Sequence, residues 1–182
     1  MAEAKNGGTD SAGSKGKVNL VSSEGDVFEV DMKVAAMSEL VKTMLEEDDE
    51  DDEDDEDDED SVIPLPNVKS TVLAKVVEFC VYHTTNVMKE VEKPLKSANM
   101  AEVVSKWDAA FVAIEQEMLF ELILAANYMN IKSLLDLTCA KVASMIKGKT
   151  AEEIRKTFNI VNDFTPEEEV QVREENRWLE TG

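Results

Sequence analysis

The chain has 182 residues, with 19 Lys and Arg against 40 Asp and Glu, and a formal net charge of −21. Fifteen of the negative charges form one unbroken run, Glu46 to Asp60, which leaves −6 for the other 167 residues. A hydrophobic content of 43% supports a core and excludes disorder of the whole chain. No basic cluster exists to displace counterions from phosphates, which excludes nucleic acid as a partner, and no apolar run approaches the roughly 18 residues of a membrane span.

Residues 1–16 are Gly/Ser/Asp-rich, lack the apolar stretch of a secretory signal, and are expected to form a disordered tail. Polar and apolar side chains alternate over 17–21 and again over 27–30, with Glu24-Gly25-Asp26 between them, the pattern of a β-hairpin. Val34, Met37, Val41, Met44 and Leu45 fall at helical spacing and predict one helix over 33–45. The carboxylate run repels itself and predicts a solvated, extended loop over 46–60. Val62-Ile-Pro-Leu-Pro66 reads as an edge strand, because proline donates nothing to a ladder. An apolar helix follows from Ser70 to about His83. Residues 84–106 are mixed and read as a linker with helical pieces.

The last third is helical. Met118 to Met129 is apolar on most faces and predicts a buried helix. The helix over 134–146 places Leu134, Leu135, Thr138, Cys139, Val142, Met145 and Ile146 on one stripe, with Gly148 at its exit. Thr150-Ala-Glu-Glu153 and Thr165-Pro-Glu-Glu168 are capping boxes, the second with proline at the first helical position. They predict helices to Phe158 and to about Trp178.

Catalytic chemistry finds no support. His83 is the only histidine, and Cys80-x-x-His83 supplies two ligands where a metal needs four, so no metal or cofactor is expected. Gly148-Lys149-Thr150 is not a phosphate loop: Ala143 stands where the first glycine belongs, and a helix precedes it instead of a strand. The acidic run lacks the glycine of a calcium loop. It leaves open an alternative function, an acidic chaperone for basic proteins. Cys80 and Cys139 sit in apolar helical patterns and predict two buried thiols in a reducing compartment. The final helices are apolar for their size, so they either pack on the N-terminal unit or present a groove to another protein's helices.

Long blocks of the sequence resemble the S-phase kinase-associated adaptor family of SCF ubiquitin ligases. They include Ser22-Ser-Glu-Gly-Asp-Val-Phe-Glu-Val30, Val62-Ile-Pro-Leu-Pro-Asn-Val68, Leu119-Phe-Glu-Leu-Ile-Leu-Ala-Ala-Asn-Tyr128, Met145-Ile-Lys-Gly-Lys-Thr150, Glu152-Glu-Ile-Arg-Lys-Thr-Phe-Asn-Ile160 and Asn162-Asp-Phe-Thr165. The resemblance spans roughly 17–178 and is weak over 84–105. It departs at the acidic run, short in relatives, and at Trp178-Leu179-Glu180, where relatives often carry Trp-Cys-Glu.

The resemblance implies a mixed α/β (α+β) BTB/POZ-type unit over 17–146 with a small three-stranded sheet. A C-terminal helical extension over 147–182 would complete an F-box-binding surface. It also implies a non-catalytic adaptor that bridges the N-terminal domain of a cullin to F-box proteins, works in cytoplasm and nucleus, and forms a homodimer in isolation. By position, Asn127 and Tyr128 match the cullin-facing pair. Phe120, Ile123, Leu124, Leu135, Cys139, Val142, Ile146, Ile154, Phe158, Ile160, Phe164 and Trp178 match the F-box-binding set, the first three flanking the cullin pair as part core and part interface. Pro166, in Asp163-Phe-Thr-Pro-Glu-Glu168, matches a proline that some unicellular members hydroxylate and glycosylate.

Overall fold

The computed structural model describes residues 16–51 and 61–177. Residues 1–15 of the expected tail over 1–16, the acidic run beyond Asp51, and Trp178 lie outside the described residues. Strands β1 (Lys17–Val21) and β2 (Val27–Asp31) pair antiparallel, with Val18 opposite Val30 and Leu20 opposite Phe28. The hairpin expectation holds. Its turn needs Gly25, whose φ of +88° is left-handed, and the Ser22 hydroxyl accepts from the Glu24 and Asp26 amides. Strand β3 (Ser61–Pro64) adds in parallel on the far side of β1, at the edge of a sheet ordered β2-β1-β3. Its Pro64 therefore interrupts no inner ladder. Val18, Leu20, Val30 and Ile63 face the core, while Val27 and Val62 face outward.

Helix α1 (Met32–Ala35) is separate from α2 (Glu39–Asp51), so the single predicted helix over 33–45 is corrected to two. The break is made by Ser38. Its hydroxyl donates to the Met129 carbonyl at 2.6 Å and accepts from the Val41 amide at 3.2 Å, capping α2 while tying it to a residue 91 positions away. The extended-loop expectation is also corrected over its first part, because α2 continues through the carboxylates to Asp51. Val41 and Leu45 anchor the helix in the core, each added residue then gains one backbone hydrogen bond, and Lys42 pairs with Glu46 at 3.9 Å.

Helix α3 (Ser70–Thr85) buries Val72, Leu73, Val76, Phe79 and Cys80 at the centre of the molecule. The hairpin turn caps its start: the Glu24 carboxylate accepts from the Ser70 amide at 2.8 Å, a bond that holds its pKa below the ordinary value. The linker region contains α4 (Met100–Val103) and α5 (Lys106–Phe111). His83 closes α3 onto α5. Its Nδ1 meets the Asn86 carbonyl at 2.7 Å and its Nε2 meets Asp108 at 2.9 Å, while Ser105 donates to the other Asp108 oxygen at 2.7 Å. Trp107 stacks between Tyr82 and Phe111 over this pair, with centroids at 3.8 and 5.0 Å.

Helices α6 (Gln116–Tyr128) and α7 (Lys132–Ile146) pack against each other, and α6 against α3. Asn130, at φ +51°, makes the tight exit between them. Then come α8 (Ala151–Phe158) and α9 (Pro166–Glu175), both opened by the predicted capping boxes. The last helix ends at Glu175, short of the predicted Trp178.

Candidate partner-binding surface

Helix α6 is amphipathic in a way its composition hides. Leu119, Leu122, Ala125 and Ala126 are buried, whereas Phe120 is 38% and Leu124 69% exposed. The buried-helix expectation is therefore corrected: a second apolar face points away from the core. Leu124 is wholly on that outer face, and Ile123 is half-buried between the two. At the end of α6, Asn127 is exposed and Tyr128 is half-buried against the core, so the predicted pair sits at one corner of the molecule.

The predicted single stripe of α7 splits in the same manner. Leu134, Leu137, Thr138, Ala140 and Ser144 are buried. Leu135, Cys139, Val142 and Ile146 recur at four- and three-residue steps on the outer face, half-buried or exposed. The two-buried-thiols expectation fails at Cys139, which is exposed; Cys80 is buried, and burial pushes its thiol up to about 12. Both cysteines are free.

Gly148, at φ +73°, turns the chain out of α7 and into α8. No residue of α8 or α9 is buried. Ile154 and Phe158 are half-buried, and the Phe158 ring meets Phe120 at 6.0 Å, which joins α8 to the outer face of α6. Asn159 ends α8 in the left-handed conformation, and Ile160 (54% exposed) and Phe164 (44%) follow on the link. Helix α9 returns along α8 through polar contacts: Arg155 with Glu169 at 3.4 Å, Arg173 with Glu152 at 3.1 Å, and Arg155 over the Phe164 ring at 5.8 Å. Pro166 is exposed at the first position of α9.

The Phe120–Phe158 contact joins the outer face of α6 to α8, and the outer stripe of α7 leads through Gly148 into the same helix. Val161, Val170 and Val172 are also exposed, and sequence reasoning missed them. Val170 and Val172 lie two apart on a helix, a spacing that forms no stripe, so periodicity gave no signal. Physically the arrangement is an apolar seat with charged edges. Among the described residues it groups no nucleophile with a base.

Residues 132–179 match the family model described as "Skp1 family, dimerisation domain", and residues 16–85 match "Skp1 family, tetramerisation domain". The chain is 56% identical over 169 residues to the S-phase kinase-associated protein 1 homolog of Tetrahymena thermophila, covering 90% of this chain and 94% of that one. It is 52% identical over 162 residues to SKP1-like protein 1A of Arabidopsis thaliana, covering 89% and 96%. A third relative, the E3 ubiquitin ligase complex SCF subunit sconC of Arthroderma otae, is 47% identical over 164 residues, covering 90% and 94%. With matches of this extent running from the first strand to the last helix, the chain belongs to the Skp1 family.

Proposed function

We propose that this protein is a non-catalytic adaptor of an SCF-type ubiquitin ligase, holding a cullin at the end of α6 and an F-box substrate receptor on the apolar seat. One observation carries the reading: two capped helices without a single buried residue continue an exposed apolar face of α6 and α7. Helices so placed gain their burial from another protein's helices. Asn127 and Tyr128 follow Leu124 by three and four residues at the end of α6, beside the seat, and tyrosine offers a rigid apolar body with one hydroxyl, which suits a second, adjoining contact. Without an F-box the same seat would pair two copies of the chain. Both free thiols suit a reducing compartment, and the reading places the adaptor in cytoplasm and nucleus.

Pro166, exposed at a helix start where its missing N–H costs nothing, is the position proposed for hydroxylation and glycosylation. Intact-mass analysis from the native host tests it, and an unmodified peptide as sole species leaves only the capping role. The central reading is tested by co-purification with separate cullin and F-box baits. Val142→Asp should lose the F-box bait and keep the cullin; loss of neither overturns the reading.

A further inference from the structure

A cleft of about 450 Å³ lies beside α7, a quarter turn round the helix from the outer stripe. One wall is the segment carrying Val91 and Leu95, and the floor is Cys139 and Ala143. That wall is strapped to α7 by the Lys93–Asp136 ion pair at 2.8 Å and by Val91, which is buried in the core. Lys147 closes the far lip and makes no ion pair among the described residues. The wall falls between the two stretches matched by the family models, residues 16–85 and 132–179.

We infer that this cleft is a second receptor contact, taking an apolar side chain with an acidic neighbour from the segment that flanks the F-box helices. The inference rests on the reading of the outer stripe as the F-box seat. Cys139 belongs to both the stripe and the cleft, so the two are continuous, and a chain leaving the seat crosses Cys139 directly into it. The cleft has the size and the apolar lining of a site for one or two side chains. A lysine at its lip with no ion pair among the described residues, in a chain of net charge −21, selects an acidic neighbour. Because the strap forms the wall, it would set which receptors gain this extra contact.

The test uses the full chain and two peptides from one F-box protein: the F-box helices alone, and the same helices with their native flanks. Calorimetry should give about tenfold tighter binding of the flanked peptide, a difference of about 1.4 kcal/mol. Ala143→Phe fills the cleft from a half-buried position on α7 and should remove that difference while leaving the short peptide's affinity unchanged. Lys147→Glu, which fills nothing, should reduce the difference and serves if Ala143→Phe does not fold. Equal binding of both peptides by the unaltered chain overturns the inference, as does an equal loss for both with Ala143→Phe. A change confined to self-association would assign the cleft to a second copy and overturn it as well. If Val142→Asp binds the short peptide normally, the seat itself is misassigned, and the inference falls with it.

Discussion

Residues 16–146 and residues 150–177 solve the same problem in opposite ways. The first region buries a row from each strand and one face each of α3, α6 and α7, and closes its irregular stretch with the His83–Asp108 pair. The second buries nothing and is held by two capping boxes, two ion pairs and two ring contacts. Burial of one large side chain is worth about 1.5–3 kcal/mol, whereas a surface ion pair is worth about 0–1. The fold is therefore stable through its scaffold and loosely held over its last two helices. Low local stability is the condition for a surface that orders on contact.

The sharpest way to break this comparison is in the core. Phe79, fully buried, touches His83, Trp107 and Phe111. Phe79→Ala should cost about 3–5 kcal/mol in denaturant unfolding, while Phe158→Ala in α8 should change stability by under about 1 and instead weaken F-box binding. Equal losses would show that α8 belongs to the core. His83→Ala should also destabilise, by about 1–3 kcal/mol, because it leaves one oxygen of the buried Asp108 without its imidazole partner while Ser105 holds the other. Chemical denaturation of the double variant with Asp108→Leu should recover part of that loss.

Partner binding sharpens the contrast further. Asn127→Lys with Tyr128→Lys should cost about 3–5 kcal/mol in cullin binding by placing unpaired charge in a contact, and leave F-box binding intact. Equal loss of both in pull-downs would mean a misfolded variant. Amide exchange over 150–177 should be fast in the free chain and slow when an F-box peptide binds; protection already present in the free chain contradicts the argument from burial.

The smallest effects concern the caps. Thr165→Ala should cost about 1 kcal/mol of α9 stability, read as faster exchange of α9 amides. Hydrogen bonds from the Thr165 amide and hydroxyl hold the Glu168 carboxyl below its ordinary 4.5. A carboxylate depressed in the fold stabilises it above the unfolded value and ceases to as pH falls through the folded one. Acidification below about pH 4.5 should therefore loosen the start of α9, seen as faster exchange of its first amides.

What was legible in the sequence was local. The hairpin, the edge strand with its proline and both capping boxes are decided by residues a few positions apart, and each stands where its pattern placed it. The break at 36–38 was not legible as a break, though Ser38 is a good cap, because its second partner is the Met129 carbonyl. Pattern alone read the helix holding Leu124 and the thiol of Cys139 as buried, and only the family resemblance put both in a binding set: when both faces of a helix are apolar, periodicity cannot say which one meets the core. The outer stripe is therefore written in the same residue types as the core.

The aromatic stack also has an optical consequence. The chain has two tryptophans, Trp107 and Trp178. The first is clamped between Tyr82 and Phe111 beside the His83–Asp108 pair, in the scaffold; the second lies at the end of the extension. In a chain with Trp178→Phe, the near-ultraviolet indole band comes from Trp107 alone and follows the scaffold through a melt. Loosening of the last two helices leaves that band unchanged, so the scaffold can be watched by itself.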